Sequence, residues 1–178
     1  MKNEFKKRKQ NRLQNFDYST NGAYFITICT HEHKCILSHI TPAVGADIIR
    51  PYNQTNRHCA DIIRPCTIKL TKYGRIVKNG VDNITKIYPN CLVNYFVIMP
   101  NHVHLIITIN NVGGRMISAP TVIGQFKRYV SKQSGISIWQ KGFYDHIIRD
   151  EDDYITKAQY IENNPAKWTE DKYYNSDI

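Results

Sequence analysis

Apolar residues gather into short runs whose period changes along the chain. Ala23-Tyr24-Phe25-Ile26-Thr27-Ile28-Cys29-Thr30 is rich in β-branched and aromatic residues and follows an Asn21-Gly22 turn signal. It predicts a central strand. From Leu70 to Tyr88 the spacing lengthens to three and four. Ile76, Val77, Val81, Ile84 and Ile87 form the stripe, Lys72, Arg75, Lys78 and Lys86 fill the other faces, and Pro89 stops the run. That is a helix pattern, weakened locally by Gly74 and Gly80. Residues 92–109 read as a hairpin, two apolar runs meeting at Pro100-Asn101. Asn110 to Ser118, with Gly113-Gly114, reads as a flexible link. Ala119 to Lys132 predicts a second helix, with Val122, Ile123, Phe126, Tyr129 and Val130 as its stripe and Gly135 closing it. Phe143 to Arg149 predicts the last strand. Asp150-Glu151-Asp152-Asp153 then places acids where a helix dipole favours them. The third helix carries Tyr154, Ile155, Ala158, Tyr160 and Ile161 and stops at Pro165. The tail, 166–178, is polar and expected to be irregular.

The order is strand, helix, strand, strand, helix, strand, then an extra helix. A βαββαβ series predicts an α+β, ferredoxin-like sandwich: an antiparallel sheet with helices on one face, plus a C-terminal helix. One domain suffices for 178 residues. Residues 38–67 interrupt the pattern. Ala46-Asp47-Ile48-Ile49-Arg50-Pro51 recurs as Ala60-Asp61-Ile62-Ile63-Arg64-Pro65, each copy ended by proline. Two copies are too few for a solenoid, so this reads as a duplicated surface insertion, extended or poorly ordered.

Charge narrows the partners. The chain carries 24 Lys and Arg against 15 Asp and Glu, a formal +9. That favours a polyanion, most simply nucleic acid. Residues 1–12 concentrate Lys2, Lys6, Lys7, Arg8, Lys9 and Arg12 into a basic arm. No apolar run reaches the roughly 20 residues of a membrane helix, and the start has no signal-like apolar stretch. A cytoplasmic protein is expected. Cys29, Cys35, Cys59, Cys66 and Cys91 form no CxxC pair and read as reduced thiols.

Candidate chemistry sits in the hairpin. In a strand, side chains alternate faces, so His102 and His104 project to one side and Val103 to the other. Two imidazoles side by side can reach one divalent ion, but the same pattern also fits a strand with a polar outer face. Tyr160 and Asn164 are four apart and share a helix face, with Lys157 near it. By periodicity alone Tyr160 also fits a core aromatic, and Asn164 a cap before Pro165. The second pair, His31 and His33, falls past a strand end around a charged residue and reads as a loop outside any site.

Taken in order, Met99-Pro100-Asn101-His102-Val103-His104-Leu105, Gly124-Gln125-Phe126-Lys127, Ile138-Trp139-Gln140 with Phe143-Tyr144-Asp145-His146 and Ile148-Arg149, and Tyr160-Ile161-Glu162-Asn163-Asn164-Pro165 resemble the single-tyrosine transposases of the HUH endonuclease superfamily. The REP-associated tyrosine transposases match best. Asp17-Tyr18-Ser19 and Gly22 to Thr27 resemble that family's opening. The likeness spans about residues 12–37 and 70–168 and leaves the insertion out. It implies a ferredoxin-like core forming one HUH domain across 1–178. It implies His102 and His104 as metal ligands with Asn164 as a third, Mg²⁺ or Mn²⁺ as the ion, and Tyr160 as nucleophile through a 5′-phosphotyrosine intermediate. Asparagine stands at 164 where some relatives carry glutamine. Single-stranded, hairpin-forming DNA is the implied substrate, which points to a nucleoid-associated location. One tyrosine per chain implies successive cuts or a homodimer. Arg12, Lys127, Arg128, Lys132 and Arg149 are the candidate DNA contacts, and Lys157 the candidate cation beside the nucleophile. Two other readings stay open: a catalytically silent nucleic-acid-binding module on this fold, and a zinc hydrolase working without Tyr160.

Overall fold

A computed structural model describes residues 16–42, 66–112 and 116–174. Six strands and three helices follow one another as β1 (Gly22–Cys29), β2 (Ser38–Pro42), β3 (Cys66–Leu70), α1 (Lys72–Ile87), β4 (Cys91–Ile98), β5 (His102–Ile109), α2 (Ala119–Ser134), β6 (Tyr144–Ile148) and α3 (Glu151–Asn163). Strands β4-β5-β1-β6 lie in that order in one antiparallel sheet. With α1 and α2 in the connections, this is the expected ferredoxin-like arrangement.

Alternation along the strands builds two cores. Tyr24, Ile26 and Ile28 of β1 and Val103, Leu105, Ile107 and Ile109 of β5 face α1 and α2, meeting Val77, Val81, Ile84, Val122, Ile123, Phe126 and Val130. The intervening residues Phe25 and Ile106 face the other way, where Val97, Met99, Ala158, Ile161 and Trp168 close a smaller cluster. So α1 and α2 cover one face and α3 the other. His102 and His104 share the parity of Ile106, which puts them under α3.

Caps set the helix starts. Thr71 accepts from the Gly74 amide at 3.1 Å, Asp150 from Asp153 at 2.9 Å, and Gly135 closes α2 in the left-handed region at φ 71°. The expected first helix is therefore two residues shorter at its start. Leu70 belongs to β3, because it pairs with Ser38 across the ribbon.

That ribbon gives the ends of 38–67, read as an extended or poorly ordered insertion, a defined strand pairing. Its two ends pair as β2 and β3, from Ser38↔Leu70 to Pro42↔Cys66. The repeated hexapeptides and the basic arm lie outside the described residues. The base of the ribbon is tied to the core. Ser38 Oγ donates to the Ile98 carbonyl at 2.9 Å, and the Leu37 amide to the Pro100 carbonyl at 2.9 Å.

Gly74 makes this docking possible. A Cβ there would run into the backbone carbonyl of Leu37. Gly74→Ala is expected to cost about 1–3 kcal/mol, as overpacking against backbone does. A shift of the urea midpoint to lower concentration at constant slope checks this; an unchanged or higher midpoint would refute it.

Buried acids of the weak kind fix the alkaline limit. Burial pushes the Cys91 thiol up to about 12, and burial followed by the charge of Asp17 pushes the Tyr24 phenol up to about 12. In an unfolded chain these groups ionise near about 8.5 and 10. Both native pKa values are raised, so the stability they contribute is complete below the unfolded values and is lost as pH rises toward 12. The melting temperature is expected to fall by about 5 °C between pH 8 and pH 10.5. Cys91→Ala should remove part of that fall.

Candidate active site

β5 opens on the site. His102 is fully buried and His104 is 1% exposed, their ring centroids 4.5 Å apart. Each ring is held through Nδ1. Asn101 donates its amide nitrogen to two carbonyls, His33 at 3.1 Å and Tyr173 at 2.7 Å, so its Oδ1 faces His102 Nδ1 as an acceptor at 2.9 Å. That places the His102 proton on Nδ1 and leaves Nε2 as a lone-pair donor. Thr27 Oγ1, across the sheet, holds His104 Nδ1 at 2.9 Å. Burial lowers the pKa of both imidazoles well below the ordinary histidine value, and His102 adds to the effect on His104. Both rings are therefore neutral, the form a metal requires.

The two Nε2 atoms are each buried and without a hydrogen-bond partner, and so is Asn164 Oδ1. Unpartnered polar atoms in a dry site are costly unless something fills them. Asn164, at the end of α3, donates its amide to Asp171 Oδ2 at 2.8 Å. Donor atoms of His102, His104 and Asp171 all fall within 4.8 Å of one another. Two imidazole nitrogens, an amide oxygen and a carboxylate make a mixed set that fits Mn²⁺ or Mg²⁺.

Tyr160 stands beside this group. Its ring lies 5.1 Å from His104 and 5.9 Å from Phe25, both edge-on. Its hydroxyl donates to Asp171 Oδ2 at 3.3 Å. Burial and then the Asp171 charge push the phenol up to about 12, against a weaker opposing effect of Asn164. The ring is 39% exposed, so the nucleophile candidate can be reached from solvent. A cleft of about 320 Å³ opens over it, lined by Tyr160, Asn163, Asn164, Lys167, Glu170, Asp171 and Lys172.

No family model matches the chain. An uncharacterised protein of Haemophilus influenzae is 33% identical over 94% of this chain and 93% of its own length. A second protein of that organism, provisionally named a REP-associated tyrosine transposase, is 30% identical over 39% of this chain and 47% of its own length. Among solved structures, a REP-associated tyrosine transposase bound to a REP hairpin superposes with a TM-score of 0.57 at 20% identity. It covers 88% of this chain and 74% of that one. The chain has the fold of a REP-associated tyrosine transposase, and over 39% of its length it is similar in sequence to a protein given that name.

Within this fold, His102, His104, Tyr160 and Asn164 meet at one place, although Tyr160 follows His102 by 58 positions in sequence. Lys157 does not meet them at the phenol. Its Nζ sits over the Phe25 ring at 5.6 Å. Lys127 is half-buried and donates to the carbonyls of Gln140, at 2.7 Å, and Gly142. It thus ties α2 to the loop before β6. Arg128 and Lys132 are exposed on α2, on the sheet face away from the histidines, where they line a groove against α1. Arg149 is exposed between β6 and α3, and Arg12 lies outside the described residues.

The tail overturns its expectation. Pro165 ends α3, but Trp168–Glu170 forms a 3-10 turn, Trp168 is buried, and Asp171 and Tyr173 pack over the site. Asp171, Asn101 and Thr27 are the site groups that sequence reasoning missed. Asn101 carried a signal, the Pro-Asn turn directly before the first histidine. Asp171 carried none, standing in a polar stretch without a period. Among the described residues no helix is long and apolar enough to cross a membrane.

Proposed function

We propose that the chain is a metal-dependent enzyme that nicks and joins single-stranded, hairpin-forming DNA through a 5′-phosphotyrosyl intermediate on Tyr160. One observation carries the reading: three buried polar atoms without hydrogen-bond partners, His102 Nε2, His104 Nε2 and Asn164 Oδ1, belong to residues gathered around Asp171, which also takes the hydrogen bond of an accessible tyrosine hydroxyl. Mg²⁺ or Mn²⁺ held there supplies Lewis-acid polarisation of a scissile phosphate. His102, His104 and Asn164 would hold it, with Asp171 within reach. The relative of known structure holds a REP hairpin, and the +9 charge of this chain favours the same class of partner.

The chain's own groups then account for the step. A phenol ionising near about 12 is a poor nucleophile at neutral pH, so its proton needs an acceptor. Asp171 Oδ2 already takes that hydrogen bond. As Tyr160 Oη bonds to phosphorus, its proton passes to Asp171 and the bond from phosphorus to the 3′ oxygen breaks. That oxygen departs with the bonding electron pair and takes a proton from water to become a free 3′-hydroxyl, and Asp171 returns the tyrosine proton to solvent. Asn164 steadies Asp171 throughout through its amide. The phosphotyrosyl ester keeps the energy of the phosphodiester, so attack by a 3′-hydroxyl rejoins strands without ATP.

The test is incubation of the full chain with a single-stranded hairpin oligonucleotide and Mn²⁺, followed by a denaturing gel. A slower protein–DNA species is expected with Mn²⁺ and not with EDTA. Hairpin binding without any covalent species would support the silent binding module instead.

A further inference from the structure

Of the histidine pair left outside the site by sequence pattern, His33 is drawn to it by the fold. His31–His33 forms a 3-10 turn after β1, and two consecutive non-glycine residues, Glu32 at φ 56° and His33 at φ 53°, are left-handed. Such backbone persists only where its surroundings impose it, and it gathers at functional sites. The imposition is visible here. The His31 amide donates to the Ile138 carbonyl at 2.7 Å, and Gln140 Nε2 lies 2.9 Å from His33 Nε2. Asn101, which orients His102, also donates to the His33 carbonyl. One asparagine thus locks both the metal-side ring and the His33 backbone.

What this strained turn presents is a flat ring. Tyr173 stacks on His33 with centroids 5.4 Å apart and planes 19° apart, and its other neighbour is His102 at 4.8 Å. Two residues earlier in the same tail, the Asp171 carboxylate faces Tyr160 and Asn164. The tail therefore offers the site an anion and, one short step away, an aromatic ring. A nucleotide offers the same two groups, a phosphate and a base. His33 Nδ1 is buried and has no hydrogen-bond partner.

We infer that His33 is a stacking platform for one unpaired nucleobase of the single strand, beside the phosphate that Tyr160 attacks, and that Tyr173 holds its place when DNA is absent. This rests on the strand-transfer reading. Stacking tolerates any base, so the platform positions the strand and does not read its sequence. His33 is a positioning residue.

The test uses the full chain carrying Tyr160→Phe, so that binding is read without reaction. The probe is a hairpin oligonucleotide with a single-stranded flank, 2-aminopurine being placed at each flank position in turn. One position is expected to show fluorescence quenched by stacking. His33→Asn keeps a residue that accepts left-handed backbone and removes the ring. It should restore fluorescence at that position and weaken binding of the flanked oligonucleotide about tenfold, the scale of one lost stack. His33→Phe should keep the quench. Tyr173→Ala should tighten binding of the flanked oligonucleotide and leave a flankless hairpin unaffected. Quenching equal in His33→Asn and the parent would overturn the platform, as would indifference to Tyr173→Ala. Failure of the strand-transfer reading looks different: no covalent species with Tyr160 present, whatever the fluorescence does.

Discussion

Tyr160→Phe is expected to lower formation of the covalent protein–DNA species by at least about a thousandfold, since no other group replaces a lost nucleophile. Binding of a hairpin oligonucleotide should change by less than about twofold. The separation follows from what the substitution removes. The ring keeps its edge-on contacts with His104 and Phe25. Only the oxygen goes, and with it one 3.3 Å hydrogen bond to Asp171. A bond that long at a partly exposed position contributes little to stability. Unchanged melting with lost adduct assigns the oxygen to chemistry. Parallel loss of both would make Tyr160 a structural residue, and an adduct persisting at the parental level would move the nucleophile elsewhere.

His104→Ala carries the second large effect. It is expected to weaken Mn²⁺ binding at least about a hundredfold, as loss of a direct ligand should exceed the loss of a supporting partner. Calorimetric titration with Mn²⁺ reads this without DNA. The unsubstituted chain should also melt higher in Mn²⁺, by mass action on the native state, and His104→Ala should not. Asn101→Ala should weaken binding by about tenfold to a hundredfold, because His102 loses the acceptor that fixes its proton on Nδ1. Acidity sharpens the point. Burial holds both imidazole pKa values down, so protons begin to compete with the metal only well below the ordinary histidine range. Stabilisation by Mn²⁺ should therefore survive at pH 6. Identical Mn²⁺ affinity in His104→Ala would exclude this imidazole as a ligand.

Local pattern made the sheet legible, and distance in the chain hid the rest. Alternation placed His102 and His104 on one face of β5, and spacing placed Tyr160 and Asn164 on one face of α3. Both statements need only backbone periodicity. Gly74 looked like a flaw in a helix because the carbonyl it accommodates, that of Leu37, belongs to another element. Leu70 opened the expected first helix, yet its strand partner is Ser38 across the insertion. Lys127 read as a candidate DNA contact on a helix. Its partners are the carbonyls of residues 140 and 142, which no pattern advertises. Asp171 and Tyr173 sit in a polar tail, and only the buried Trp168 shows that this tail returns to the sheet. His33 is the same lesson in reverse: a motif discounted for lying past a strand end is brought within one ring of His102 by Tyr173.

The most direct test of the account is where the DNA end travels. A single-stranded hairpin oligonucleotide labelled at its 3′ end, and a second copy labelled at its 5′ end, are each incubated with the chain and Mn²⁺, and the covalent fraction is digested with trypsin. The account predicts that the 3′ label stays with protein, that the 5′ label is released on a fragment ending in a free 3′-hydroxyl, and that the nucleotide is carried by the peptide containing Tyr160. Retention of the 5′ label, or a modified peptide lacking Tyr160, would contradict it.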